Sequence, residues 1–201
     1  LTRALTEEAR GLVLSVSSGI ESVEGDLAEG ALDFAIDIER GITNEINATP
    51  LAMYTPSIWM REGHPLATKD KMTLDEILTY SFVQYYLLIS KRVSARNDAR
   101  FDRALRGLGL KREKTLVTNQ LMTAMETVCD TDCLMVATQK DLVTEREMHR
   151  IVSKAFPEEL PHDESINLVL LQHQRTAESP IHFWLREKII ELVQEKDKVT
   201  S

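Results

Sequence analysis

Short apolar runs alternate along the chain with stretches of helical period, and this alternation is its dominant signal. Leu12-Val13-Leu14-Ser15-Val16 contains β-branched members and predicts a buried strand. Ser18-Gly19-Ile20-Glu21 has the Ser-x-x-Glu form of a capping box and opens a predicted helix with Ile20, Val23 and Leu27 on one face. Gly30 is placed to stop that helix, and Ala31 to Ile36 reads as the next strand. Together these predict a βαβ unit, hence a parallel sheet with a right-handed crossover.

The alternation continues. A polar loop is expected over residues 39–49, followed by a strand from Met53 to Met60 in which Pro56 marks an edge or a bulge. His64-Pro65 reads as a turn rather than a contact, and Thr73-Leu74-Asp75-Glu76 as a second capping box. Strands are predicted at Phe82–Tyr86, Leu116–Val117, Cys133–Ala137 and Ile166–Leu171. Helices are predicted over 94–108 with Gly109 as its stop, after an N-cap at Asn119, and from Thr144 through Met148, Ile151 and Val152. Ser179-Pro180 opens a last helix whose apolar stripe is Ile181, Trp184, Leu185, Ile189, Leu192 and Val193. With strands and helices alternating in both halves, the fold class is α/β in two small subdomains.

Composition narrows the function. The chain has 201 residues, 43% of them hydrophobic and 28% charged, as in an ordinary globular protein. Its net charge of −8 argues against a phosphate-gripping surface, which needs clustered Lys and Arg. No apolar run approaches a membrane span, and the first ten residues lack the form of a signal peptide. The chain opens on Leu1, within helix-like sequence, and is expected to be a piece of a longer protein. The two cysteines, Cys129 and Cys133, form neither a disulfide framework nor a thioredoxin-like CxxC pair, and are expected to be small hydrophobes at a helix end and a strand start.

No glycine-rich phosphate loop, zinc-protease motif or nucleophile elbow is present, and the five histidines lie at spacings that suit no metal site. An enzyme is not expected, nor any cofactor. What remains is the binding logic of an α/β sheet, in which ligands sit beyond the carboxyl ends of strands, near helix N-termini. The residues at those positions are Ser17 and Ser18, Thr118 and Asn119, and Thr138 and Gln139, all small or neutral polar groups. Each is individually as good a helix cap as a ligand contact. Lys91, Arg92 and Arg96 read as a solvated face.

Three blocks carry a family resemblance. Asp26 to Ile36 resembles the L-x-x-G-x-L-D-x-A-I segment of LysR-type transcriptional regulators. Arg61-Glu62-Gly63-His64-Pro65-Leu66-Ala67, followed by Met72 to Ile77, resembles that family's HPLA block and the T-L-x-D/E-L after it. Leu171 to Thr176 with Ser179 to Arg186 resembles the ending of the subgroup that holds nodulation, aromatic-catabolism and LeuO-type regulators. The chain departs from the common pattern at Asp130-Thr131-Asp132, where Gly-x-Gly is usual, and at Ala137, where Pro is common.

The resemblance implies the effector-binding half of such a regulator, with two Rossmann-like subdomains joined by two crossover strands as in type 2 periplasmic binding proteins. Subdomain I would be residues 1–80 and 177–201, and subdomain II residues 81–176, with hinge strands at about 82–86 and 168–173. A small effector, of which a carboxylate or other small anion is one possibility, would bind in the cleft between them. Its implied contacts are Ser17, Ser18 and Gly19, then Thr118, Asn119, Ala137, Thr138 and Gln139, with Tyr85, Tyr86 and His173 from the hinge. The resemblance further implies a cytoplasmic protein that self-associates into dimers or tetramers. It would reach DNA only through a winged helix-turn-helix upstream of this chain. A periplasmic-type solute-binding protein of a transporter is the alternative.

Overall fold

The computed structural model describes all residues except 1–4, 6, 10, 18–19, 21, 86–99, 139–149, 161–164 and 200–201, and describes 138 and 194–199 by their backbone alone. The chain divides into two compact units, Leu1–Met53 with Asn167–Ser201, and Tyr54–Ile166.

Unit 1 contains α1 (Val23–Glu29), β1 (Ala35–Ile38), β2 (Ile46–Tyr54, running to the unit's border), β8 (Ile166–His173) and α5 (Pro180–Val199). Its three-stranded sheet has the order β1-β8-β2, with β1 antiparallel to β8 from Ala35↔Leu171 to Ile38↔Leu168. Alternate residues of β8 face opposite sides. Val169 and Leu171 pack with Val23 and Leu27 of α1, while Leu170 packs with Leu51 and with Ile189 of α5. Gly30 ends α1 as expected, at a φ of +83°, its N–H donating to the Asp26 carbonyl.

Unit 2 contains β3 (Pro56–Arg61), α2 (Leu74–Leu78), β4 (Phe82–Tyr85), α3 (Arg100–Gly107), β5 (Lys114–Thr118), α4 (Leu121–Asp130), β6 (Leu134–Thr138) and β7 (Ile151–Lys154). The sheet order is β5-β4-β6-β3-β7. Strand β4 is parallel to both β5 and β6, and β3 is antiparallel to both β6 and β7. One face carries Ile58, Met60, Phe82 and Leu134 under α2 and α3, and the other Trp59, Val83 and Met135 under α4. Here the predicted βαβ logic is realised, because strands buried on both faces need helical crossovers to cover them.

Several expectations are corrected. Residues 12–16 form no strand. Leu12, Val13 and Val16 are exposed, and with no ladder partner among the described residues an apolar run has nothing to hold it in a sheet. The first βαβ unit is therefore absent, and β1 pairs antiparallel with a strand from the other end of the chain. The loop expected over 39–49 becomes strand from Ile46 onward, and Pro56 opens a separate strand, where a missing N–H costs least. Ile151 and Val152 belong to strand β7 rather than a helix, and residues 144–149 of that expected helix lie outside the described residues. Asn119 is not the N-cap of α4, which is Gln120. Ile181, expected in the apolar stripe of α5, is exposed, whereas Leu185 and Ile189 of the stripe pack on the sheet.

The unit borders also differ from the expected 80/81 and 176/177. Residues 54–80 fold with unit 2 because β3 lies between β6 and β7. Strand β4, expected as a hinge, is the second strand of that sheet and lies wholly within unit 2.

Candidate functional site

In unit 2 the three parallel strands β4, β5 and β6 end on the same edge of the sheet, the place where an α/β fold offers helix N-termini and free backbone groups. The register sets Tyr85 beside Thr118 there, and Ala137 lies near the end of β6. The Thr118 hydroxyl accepts a hydrogen bond from the Gln120 N–H at 3.0 Å, so it holds the turn into α4 that the nominal cap, Gln120, does not secure with its own side chain. Asn119 is exposed, its side-chain oxygen accepting from the side-chain Nε2 of Gln120 at 3.5 Å. Tyr85 packs its half-buried ring against the cluster of Trp59, Val83 and Met125, and burial pushes its phenol pKa up.

The loop between α4 and β6, over Asp130-Thr131-Asp132, is held by side-chain bonds. The Thr131 hydroxyl donates to the Thr127 carbonyl at 2.7 Å and accepts from the Cys133 N–H at 3.1 Å. Asp132 holds Arg61 at 2.7 Å. His64 reaches the same loop. Its Nδ1 accepts from the Leu66 N–H at 3.0 Å, so its ring proton belongs on Nε2, which faces the Asp132 carbonyl at 3.3 Å. Burial lowers the pKa of His64 below 6.5, against the opposing pull of Asp132. The conspicuous His64-Pro65 pair is thus a structural tie, as expected. Cys133 is buried in the core and Cys129 half-buried, with burial foremost in raising its thiol pKa, consistent with their reading as small hydrophobes.

Unit 1 carries two of the expected contacts among its described residues. Ser17 is exposed in the segment that forms no strand. His173 ends β8, where its Nδ1 accepts from the Arg175 N–H at 3.2 Å and its Nε2 lies 3.8 Å from Glu45. Ser18, Gly19, Tyr86 and Gln139 lie outside the described residues, as does the side chain of Thr138. The structure therefore gathers Tyr85, Thr118, Asn119 and Ala137 at one sheet edge of unit 2 and places Ser17 and His173 in unit 1. Unit 1 also has an open cavity of about 460 Å³ lined by Glu8, Ala9, Gly11, Leu12, Ile181 and Trp184, none of them an expected contact.

Two buried amides escaped sequence reasoning. Gln84 of β4 and Gln172 of β8 are 6% and 2% exposed, and the side-chain oxygen of each has no hydrogen-bond partner among the described residues. Gln172 still donates through its nitrogen to the Thr176 hydroxyl at 3.2 Å. The available signal was a Gln inside Phe82-Val83-Gln84-Tyr85, where a strand covered on both faces calls for an apolar residue. Among the described residues no group of His, Cys, Asp and Glu could hold a metal ion, and no helix is long and apolar enough to cross a membrane.

The family model for the LysR substrate binding domain matches residues 1–191. Among solved structures the chain is similar to a probable transcriptional regulator from Pseudomonas aeruginosa, at 21% identity and a TM-score of 0.73, covering 94% of this chain and 59% of that one. It is also similar to the effector-binding domain of QuiR in complex with shikimate, at 15% identity and a TM-score of 0.68, covering 96% and 88%. A third likeness is to the CcmR regulatory domain of Synechocystis in complex with 2-PG, at 14% identity and a TM-score of 0.72, covering 96% and 88%. At these identities the likeness shows the fold. The chain spans 59% of the length of the Pseudomonas regulator. No curated protein matches the chain.

Proposed function

Since the chain belongs to the LysR substrate-binding-domain family, we propose that it is the effector-sensing and oligomerisation domain of a bacterial LysR-type DNA-binding transcriptional regulator. The observation that carries this reading is the family match over 191 residues. The shikimate and 2-PG held by the QuiR and CcmR domains support a small polar effector here as well. The family and its regulator likenesses favour this reading over a transporter's solute-binding protein. The chemistry fits, because the parallel strands of unit 2 end in neutral donors and acceptors beside the start of α4 rather than in a catalytic constellation.

On this reading Tyr85, Thr118, Asn119 and Ala137 contact the effector from unit 2, with Tyr86, Thr138 and Gln139 adjoining them in the sequence. The effector acts by preferring one of two conformations, and its differential affinity sets the size of the response. DNA is reached through a helix-turn-helix segment upstream, the regulator works in the cytoplasm as a dimer or tetramer, and the closing Trp184-Leu185-Arg186 supports the nodulation and LeuO-type subgroup.

A thermal-shift screen of small hydroxylated and plain carboxylates tests the reading. A bound effector adds about 2.7 kcal/mol of stability at one hundred times its Kd, and the melting temperature rises with its concentration. Thr118→Val should weaken that shift. A panel that includes shikimate and leaves the melting temperature unmoved at millimolar concentration would refute it. Sedimentation of the same chain as a monomer at high micromolar concentration would refute the oligomerisation part.

A further inference from the structure

Strand β4 lies between two parallel neighbours, and Phe82 and Val83 are fully buried on its opposite faces. Alternation sends Gln84 to the Phe82 side of the sheet, where the neighbouring cluster is built from Ile58, Met60, Leu134 and other apolar residues. In register it stands beside Val117 of β5. A primary amide in such surroundings is costly unless bonded, because its desolvation is not returned. Yet the Gln84 Oε1 has no hydrogen-bond partner among the described residues. In the buried ionic cluster of the same unit Asp102 accepts from both Arg112 and Lys114, although there too one atom, the Arg112 Nη1, is left without a partner. Gln84 is also one residue from the end of β4, at the strand ends that carry Tyr85 and Thr118, although its side chain lies on the Phe82 face and that of Tyr85 on the Val83 face. An uncompensated buried polar group calls for an explanation, and a functional role is one.

We propose that Gln84 is a specificity-determining residue of the effector site, its amide oxygen accepting a hydrogen bond from a hydroxyl of the effector, which is therefore a hydroxylated small molecule. This rests on the reading of the chain as an effector-sensing domain. A bound hydroxyl gives the buried acceptor the donor it lacks, while an analogue without that hydroxyl leaves it unpaired. Buried acceptors discriminate against such analogues more strongly than apolar walls discriminate by shape.

Gln84→Met tests this in the 201-residue chain with two readouts. Without ligand, removing an orphaned buried amide should raise the melting temperature by about 2–4 °C. A fall would mean that the amide serves the fold and would overturn the proposal. In the second readout, calorimetric titration compares shikimate and other hydroxylated ring carboxylates with their deoxygenated analogues, such as cyclohexene carboxylate for shikimate. The wild-type chain should prefer the hydroxylated member of at least one pair by roughly ten-fold or more, and Gln84→Met should lose that preference while still binding the analogue. Equal binding of both members by the wild type, or an undiminished preference in Gln84→Met, overturns the proposal and leaves the effector reading standing. If no compound of either kind binds the wild type, the effector reading itself fails and takes the proposal with it.

Discussion

Strand β3 of unit 2 buries four residues in a row, Ser57 to Met60, whereas β1 and β2 of unit 1 leave Ile36 and Met53 52% and 69% exposed. The difference follows from position in the sheet. Strand β3 has a partner on each side and belongs to clusters on both faces, so a continuous apolar run suits it. Strands β1 and β2 are the edges of a three-stranded sheet. The polar contacts differ as well, although unit 2 also carries exposed ion pairs such as Arg150 with Asp130. Unit 2 buries Arg112 against Asp102 between the rings of Phe82 and Phe101, each about 5.0 Å from the guanidinium, while unit 1 pairs His182 with an Asp33 that is 71% exposed.

That contrast predicts the largest effect. Burial opposes ionisation of Asp102, but hydrogen bonds from Arg112 and Lys114 outweigh it and hold the carboxyl below its usual pKa. Asp102→Ala strips the partner from a guanidinium whose side chain is 2% exposed. It should cost about 3–5 kcal/mol in urea unfolding, because an uncompensated charge is left inside. Asp33→Ala, the matching loss in unit 1, should cost no more than about 1 kcal/mol, as exposed pairs do. Similar losses for the two variants would break the comparison.

Legibility in the sequence divides along the same line. In unit 2 strands β4, β5 and β6, helix α4 and the Thr73 capping box all match their expected places within a few residues, because strong apolar runs there are punctuated by Gly and by capping residues. The sequence of Leu12 to Val16 is just as apolar, but a strand requires a partner that composition does not reveal. The pair Ile151-Val152 fits helix and strand templates equally, and only pairing with β3 decides it. Of the candidate site, Thr118 was legible as a strand-end hydroxyl. Gln84 was not, because an orphaned acceptor is a property of packing and has no pattern of its own.

The next effect is in pH dependence, and it too separates groups by burial. His64 is 2% exposed and is held neutral, so its folded pKa lies below 6.5 and the unfolded chain binds the extra proton first. Its contribution is complete above pH 6.5 and is lost as pH falls through the lowered folded value. Protonation would also place a donor on Nδ1, where the Leu66 N–H now donates. His64→Asn offers an acceptor near Nδ1 without a titrating ring, so its stability should fall less steeply than the wild type's as pH drops below 6.5. Asp102 has the same sign at lower pH, and its contribution is lost only in the carboxylate range. Parallel pH profiles for the His64→Asn and wild-type chains between pH 7 and 5 would show that His64 takes up its proton equally in the folded and the unfolded chain, and that burial does not lower its pKa.

The smallest effect concerns local structure within unit 2. The Thr73 hydroxyl accepts from the Glu76 N–H at 3.3 Å, and Glu76 accepts from the Thr73 N–H at 2.9 Å, so two otherwise orphaned donors are satisfied at the start of a five-residue helix. So short a helix has little internal stability and depends on its cap and on Leu74 and Ile77, which anchor it in the core. Thr73→Ala should therefore cost about 1 kcal/mol in urea unfolding, and Thr73→Ser, which keeps the acceptor, a fraction of that. The two variants separate the cap from the core beneath it. If both cost the same, the anchoring by Leu74 and Ile77 alone sets the helix, and the capping box has no energetic share in the more deeply buried unit.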